Sequence, residues 1–362
     1  MTLRAALLFP FGFLVSLLLC SAQPNAAPEA KQPTPKLATI QRTHVPLADA
    51  LKSLTEQTGE TVADGMGDPD PTADLDLRQA TFWDTLDAVA DKVGGRVDLH
   101  SRDGLAVTPR PAGWRPPRVS RTGLFRTELS ALTSKLDLET DSRTCTASVE
   151  VAWQPHLLPI LLETRPRNLH VIDDAGRTLS VGAVGSTLAP VDGRNSLAFD
   201  VTLPAVDRAV KRLALLEGEF YAVAPTKMLT FSFGPLDAGP GDPRLQAILE
   251  DVKCRICKVV AEDDHWSIQI ALDYPDGNVK FDSYQSWVVN NEIYLEDKNG
   301  DRFPSSNYLL EESDPAHALL TYHFRDKERM KRGLGDWKVV YRTPALVVKV
   351  PVPFSFKDVP LP

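Results

Sequence analysis

The sequence predicts a mainly β protein of several domains, in which a small α+β domain is followed by two antiparallel β-sandwich domains. Three observations predict this fold class. A strand–helix pattern occurs twice near the start, later segments alternate apolar and polar residues with a period of two, and proline-rich stretches separate these regions. A chain of 362 residues is also longer than one ordinary domain.

The first residues predict a secretory signal peptide at 1–22. Arg4 supplies a short positive region and an apolar run covers residues 5–19. This run is shorter than the roughly 20 apolar residues that span a bilayer, and Pro10 interrupts it, so a membrane anchor is the weaker alternative. No later segment is apolar enough to span a membrane. The sequence therefore predicts export to the periplasm or the extracellular space.

Cys20 allows a second processing route, in which an acylated cysteine becomes the new N-terminus and tethers the protein to a membrane. That route prefers a small residue before the cysteine, and Leu19 stands there. We therefore predict signal cleavage and keep lipidation of Cys20 as the alternative. Residues 23–36 are rich in proline and alanine and predict a disordered linker.

Residues 37–110 predict the small α+β domain, built from two strand–helix–strand units. The apolar residues of each predicted helix recur at the spacing of one helical face. They are Leu47, Ala50, Leu51 and Leu54 in the first helix and Phe82, Leu86, Val89 and Val93 in the second. Gly59 and Gly94 follow at matching positions and predict the helix ends.

The segment VPLADALKSLTEQTG, residues 45–59, resembles the small N-terminal STN domain shared by secretins and TonB-dependent receptors. In those families this domain is a periplasmic interaction module, so the resemblance implies a docking role and no catalytic residues. The rest of the chain departs from both families, and we therefore do not expect the chain to be a channel itself.

Residues 111–118 predict a stiff proline-rich linker. Period-two alternation then predicts one β-sandwich over residues 119–235 and another over residues 245–362, with a Gly- and Pro-rich linker at 236–244. Both regions resemble immunoglobulin-like sandwiches in architecture only, because the Cys–Trp–Cys hallmark is missing.

The two β regions repeat one another at a constant offset. The matching positions are Ile172 with Leu295, Asp174 with Asp297, Leu197 with Leu320, and Phe231 with Phe354. The last strand carries Pro351 and Pro353 on the face opposite its apolar residues. Because proline cannot donate to a ladder, we expect an edge strand there.

Three cysteines remain after signal cleavage: Cys145, Cys254 and Cys257. The last two form a CxxC, which can be a redox pair or half of a zinc site. No second CxxC exists, and the surrounding segment predicts a strand, on which residues three apart face opposite sides. We predict one buried, inert cysteine and one more exposed cysteine. A disulfide, local or to Cys145, and metal or redox chemistry remain alternatives.

Other candidate groups have simpler interpretations. An acidic loop and a hairpin turn carry oxygen ligands of the kind that Ca²⁺ prefers, but neither follows the order of an EF-hand. These residues are Asp64, Asp68, Asp70, Asp74 and Asp76 in the loop and Asp297, Asn299 and Asp301 in the turn. Trp83 and Trp114 are candidates for a binding face, although packing of Trp114 against a neighbouring domain is the preferred interpretation.

The formal net charge is −8, which disfavours nucleic acid as a partner because such binding needs a basic surface. No nucleotide-binding or nucleophile motif is present. The sequence favours an exported, non-catalytic cell-envelope binding or scaffold protein with a protein partner and no cofactor. An accessory role in a secretin-like or TonB-like transport system is the second hypothesis, and an enzyme with an unrecognised site is the third.

Overall fold

The fold is mainly β, with a small α+β domain followed by two antiparallel β-sandwiches, as predicted. The computed structural model describes residues 33–102, 104–179, 187–191, 193–239, 241–274, 288, 291–314 and 316–362. The predicted signal peptide, with Cys20, and residues 23–32 of the predicted linker lie outside the described residues.

The small domain contains the two predicted strand–helix–strand units and one further strand. Its elements are β1 (Leu37–Pro46), α1 (Leu47–Thr58), β2 (Ala63–Asp64), β3 (Thr72–Thr81), α2 (Phe82–Lys92), β4 (Gly95–Ser101) and β5 (Gly104–Pro109). β1 pairs with β3, and β5 lies between β2 and β4 in a second sheet. The predicted apolar faces of both helices are buried, except that Val93 is half-buried.

Local chemistry explains where both helices begin and where α1 ends. Gly59 adopts a left-handed conformation with φ of 75° at the end of α1, a conformation that glycine reaches without steric cost. The Leu47 N–H donates to the Asp70 carboxylate at 3.0 Å, which places a negative charge at the positive end of the helix dipole. At the start of α2, the Thr81 hydroxyl accepts from the Asp84 N–H and so caps the helix.

The sandwiches contain sixteen strands among the described residues. Those of the first half are β6 (Arg118–Thr122), β7 (Phe125–Leu136), β8 (Arg143–Trp153), β9 (Leu161–Asp173), β10 (Thr178–Leu179), β11 (Leu188–Pro190), β12 (Ser196–Leu203) and β13 (Arg212–Phe233). Those of the second half are β14 (Gln246–Leu249), β15 (Val252–Ala261), β16 (Trp266–Asp273), β17 (Glu292–Asp297), β18 (Arg302–Pro304), β19 (Asn307–Ser313), β20 (His317–Phe324) and β21 (Trp337–Pro360), and a short helix α3 (Lys327–Met330) precedes β21.

Both sandwiches share one seven-stranded sheet, in the order β10-β9-β13-β21-β17-β18 with β11 beside β9. We call it the shared sheet. Its centre is an antiparallel pair of two long strands, β13 with 22 residues and β21 with 24. The first outer sheet, β12-β8-β7-β6, completes the first sandwich, and the second outer sheet, β14-β15-β16-β20-β19, completes the second.

The long strands exchange their ends between the two cores. Phe354 and Phe356, near the end of the chain, are buried in the first core with Phe220. Phe231 and Phe233, which end the first half of the chain, are buried in the second core. Each core is therefore completed by the last strand of the other half.

This exchange corrects the predicted assignment of each core to one stretch of chain. The ranges 119–235 and 245–362 describe the order of the strands, but the two cores each draw residues from both ranges. The physical reason is the straight path of β13 and β21, which continue through a bulge near Pro225 where a hairpin would have returned each end to its own half.

The register of the long pair is symmetric about its centre. Phe220 lies opposite Val352, and the residues that match these two in the predicted repeat, Thr343 and Leu229, lie opposite each other as well. Phe231 likewise lies opposite Tyr341, and their counterparts in the repeat, Phe354 and Gly218, also lie opposite each other. The two halves are thus related by an approximate two-fold axis through the middle of the shared sheet.

The hairpins predicted at Ala175–Gly176 and Asn299–Gly300 are both present, and they are built alike. Asp173 accepts from the N–H groups two and four residues later, and Asp297 does the same at its turn. The equivalent of Asp297 is therefore Asp173, one residue before the predicted match at Asp174.

The predicted edge at Pro351 and Pro353 is confirmed. Residues 343–360 of β21 pair with β13 on one side only among the described strands. β6 covers the other side through side chains: the Ser355 N–H donates to the Ser120 hydroxyl at 3.1 Å, and the Thr122 hydroxyl donates to the Pro353 carbonyl at 2.9 Å.

The exchange can be tested with cysteine pairs introduced in a Cys257→Ser background. Glu217 lies opposite Ser355, and Ser232 lies opposite Val340; cysteines at directly opposite strand positions are within disulfide reach. We expect oxidation to link 217 with 355 and 232 with 340, detected by peptide mass spectrometry. Links between 217 and 232, or between 340 and 355, would show that each half closes on itself.

Candidate functional site

The small domain docks on the outward side of the first outer sheet. Ala152, on β8, is fully buried within the core of the small domain. The indole N–H of Trp83, on α2, donates to the Leu124 carbonyl at 3.0 Å. Trp83 is 1% exposed, so its predicted role on an exposed binding face is wrong: the ring is part of this interface.

Asp87 on α2 connects the small domain to two arginines of the first sandwich. Its carboxylate forms ion pairs with Arg121 and with Arg126, whose Nε lies 3.2 Å away. Arg126 is 3% exposed and also pairs with Glu128 at 2.8 Å. Burial opposes the charge of Arg126, but Asp87 and Glu128 outweigh it and raise the pKa of the guanidinium above its ordinary value.

Two histidines add contacts across the interface. The His156 N–H donates to the buried Glu60 carboxylate at 3.3 Å, and the imidazole of His156 contacts the same carboxylate. His100 Nε2 lies 2.8 Å from Glu150 on β8. Because these pairs and the Asp87 pairs surround a buried apolar contact, the small domain and the first sandwich are held in one fixed arrangement.

A cleft of about 340 Å³ lies beside this interface, and we call it the interdomain cleft. α2 forms one wall, β6 and β7 form another, and the proline-rich linker closes the third side. The half-buried Trp114 stands at its rim, with the Arg110 guanidinium 4.4 Å from the centroid of its ring. Arg110 is in turn held by Asp91 at 2.6 Å and by the Gly95 carbonyl. Trp114 thus packs beside the small domain, as the preferred interpretation has it, and its ring also lines the cleft.

A second groove, with a volume of about 560 Å³, begins on the other side of the linker. It is lined by residues 128–132 of β7 and by the last residues of the chain, 359–362. Trp114, Pro116 and Pro117 line both depressions. The linker is therefore a ridge between a charged cleft and a neighbouring groove.

The charged groups of the cleft are paired with one another. All four carboxylates of its lining are paired with arginines: Asp84 and Asp87 with Arg121, Asp91 with Arg110, and Glu128 with Arg126. These pairs hold the groups charged and oriented. The aromatic ring, the proline ridge and the fixed charges together offer apolar contact and directional hydrogen bonds to a ligand.

The three cysteines among the described residues are free thiols. Cys145 and Cys254 are buried in the first and second cores, and Cys257 is partly exposed at a bulge of β15. Burial raises the pKa of both buried thiols, which lowers their thiolate fraction and reactivity. The prediction of one buried and one more exposed cysteine in the CxxC is confirmed, and no disulfide joins the described cysteines.

The acidic loop serves local structure. Asp64, Asp70 and Asp74 each accept a backbone N–H, and Asp76 accepts from the Gln41 amide. Within the described residues, the one group spaced to hold a metal is Glu262, Asp264 and His265, all in the turn between β15 and β16. The Asp297 turn is explained by its hairpin hydrogen bonds.

The chain matches no protein-family model, no curated protein and no solved structure. In the part of the chain that the structure describes, no helix combines the length and the apolar character needed to cross a membrane.

Sequence reasoning missed the docking role of α2, although a signal was present. Asp84, Asp87 and Asp91 recur at i, i+3 and i+7 and form an acidic stripe beside the apolar face of the helix. An acidic stripe is usually solvated, and only the position of Arg121 and Arg126 in the fold shows that this one meets a partner.

Replacing Asp87 by Asn leaves the buried Arg126 with Glu128 as its remaining charged partner. We expect the free energy of unfolding to fall by about 3 kcal/mol, the lower end of the cost of breaking a buried pair, as measured by urea denaturation. Asp263→Asn, at an exposed residue of the turn between β15 and β16, is the control and should change it by less than about 0.5 kcal/mol. Equal values for both variants would contradict the role given to Asp87.

Proposed function

We propose that this chain is an exported, non-catalytic binding or scaffold protein of the cell envelope, and that it binds a protein partner at the interdomain cleft. The observation that carries the proposal is the half-buried Trp114 at the rim of a cleft between two firmly docked domains. Large aromatic rings next to arginine are frequent anchors of protein interfaces.

The rigidity of the cleft supports a binding role. A site whose walls are already in place loses little conformational entropy when a ligand binds. Here Asp87 and Glu60 fix the small domain against the first sandwich, and Arg110 fixes Trp114 against α2. The paired charges supply orientation, while the indole and the prolines supply apolar area.

Export is part of the proposal and is supported by the sequence. The apolar run at residues 5–19 is followed by a cleavage site and then by a proline-rich stretch. A linker of this composition would leave the folded part, from Leu37 onward, at some distance from any tether at Cys20.

A second candidate function is docking of the small domain in a secretin-like or TonB-like transport system. The resemblance of residues 45–59 to STN domains favours it. In addition, β1 and β3 pair only with each other among the described strands, so both have an open edge. An open edge can accept a further strand from a partner.

Replacing Trp114 by Ala separates the two candidates. We expect an affinity matrix carrying the Trp114→Ala variant to retain about tenfold less of a specific envelope protein than wild type, because an aromatic anchor is lost. Tyr308→Ala, at a 48% exposed ring of the second sandwich, is the control and should retain the partner. Retention should be quantified by mass spectrometry.

The outcomes distinguish the functions. Loss with Arg42→Glu, at the exposed edge of β1, but not with Trp114→Ala would favour docking through the small domain. If neither variant changes the set of retained proteins, the proposed binding role of the cleft is wrong.

A further inference from the structure

The two outer sheets correspond strand by strand. The first has the order β12-β8-β7-β6 and the second contains the order β20-β16-β15-β14. In the predicted repeat Phe199 matches Tyr322, and these residues lie opposite Val149 and Ile268 on the neighbouring strands. This pairing fixes the alignment of β8 with β16.

Side-chain contacts support the same alignment independently. One residue before Val149 and Ile268 stand Ser148 and Ser267. The Ser148 hydroxyl donates to Asp200 at 2.7 Å, and the Ser267 hydroxyl lies 2.9 Å from Nδ1 of His323. In both sheets a serine thus contacts the residue directly across from it on the adjacent strand.

The alignment makes Arg255 the counterpart of Arg126. Three residues after Val149 and Ile268 come Ala152 and Ala271. Arg126 lies opposite Ala152 on β7, and Arg255 lies opposite Ala271 on β15. The outward side of each outer sheet therefore carries an arginine beside a small residue at the same place.

In the first sandwich this position is the docking point of α2. Asp87 pairs with Arg126, and Ala152 is enclosed by the core of the small domain. In the second sandwich Arg255 makes no ion pair with any described residue, and its Nε is buried without a hydrogen-bond partner there. A buried donor without a partner is costly, so the site is suited to a ligand that supplies an acceptor.

The surroundings of Arg255 fit a partner that is acidic and partly apolar. Lys253 and Lys258 lie on the same strand and on the same side of the sheet. Ile248, at 65% exposure, lies opposite Lys253, and Leu309, at 55%, lies on the same side of the sheet on its edge strand β19. The same side carries Asp273, paired with His317, and Glu311, which accepts from Gln269 and Thr321. Basic residues beside apolar side chains complement a helix that carries carboxylates beside an apolar stripe.

We propose that this outward side of the second outer sheet binds an acidic amphipathic helix of a partner protein, in the way that the first outer sheet binds α2. A carboxylate of that helix accepts from the Arg255 guanidinium, and its apolar side chains cover the half-buried Leu319, which lies opposite Ala271. The inference rests on the proposed binding role and adds a second surface to it. The two surfaces share no residues, so a Trp114 variant leaves this one intact.

The test uses the full chain and a helix-constrained, fluorescent peptide with the α2 sequence, Thr81–Lys92, titrated by fluorescence anisotropy. We expect saturable binding that is about tenfold weaker for Arg255→Gln, as loss of a charge-assisted hydrogen bond implies. Arg255→Lys should recover part of the affinity. Arg208→Gln, at an exposed arginine of the first sandwich, should bind like wild type.

A second peptide, with Asn at positions 84, 87 and 91, keeps the apolar stripe and removes the carboxylates. It should bind about as weakly as the original peptide binds Arg255→Gln. Equal affinity of the original peptide for wild type and Arg255→Gln, or no binding up to its solubility limit, would overturn the inference. Circular dichroism of each variant verifies that a loss of binding does not reflect unfolding.

Discussion

The antiparallel pairing of β13 with β21 is the contact on which the rest of the β structure depends. It joins residues 212–233 to residues 337–360 and lies at the centre of the shared sheet. Each long strand contributes one segment to each core. Neither sandwich can therefore complete its core without residues from the other half of the chain. The two sandwiches are therefore one structural unit, and the small domain is attached to that unit through α2.

Much of the local structure follows from sequence patterns. The apolar faces of α1 and α2, the glycine at the end of α1, the asparagine–glycine hairpin and the alternation within the long strands were all predictable, because each reflects interactions between residues near one another in the chain. The edge at Pro351 and Pro353 was predictable for the same reason. Proline has no backbone N–H to donate, whichever sheet the strand joins.

The choice of strand partner was not predictable. Period-two alternation specifies which side chains face a core, but Phe354 faces a core equally well in its own half or in the other. What decides is whether the chain turns or continues near Pro225 and its counterpart, residue 348. Proline and β-branched residues at these points are compatible with both paths, so the exchange is visible only in the fold.

The candidate site could not be predicted from the sequence either. Trp114 and the acidic stripe of α2 are visible in the sequence, but the cleft exists because the linker returns past α2 and places β6 beside it. Because the two outer sheets repeat one another, the same position occurs twice in the molecule. One outer sheet is covered by a domain of the chain itself, whereas the matching side of the other sheet presents Arg255 without a described partner.

Hydrogen exchange in increasing urea tests the central claim, that the two sandwiches form one unit, most directly. Peptides from β8 and β16 report on the first and second outer sheets. If β13 and β21 complete both cores, both peptides lose protection in a single transition at the same urea concentration. Two separate transitions, with one sheet still protected after the other has unfolded, would contradict this description of the molecule.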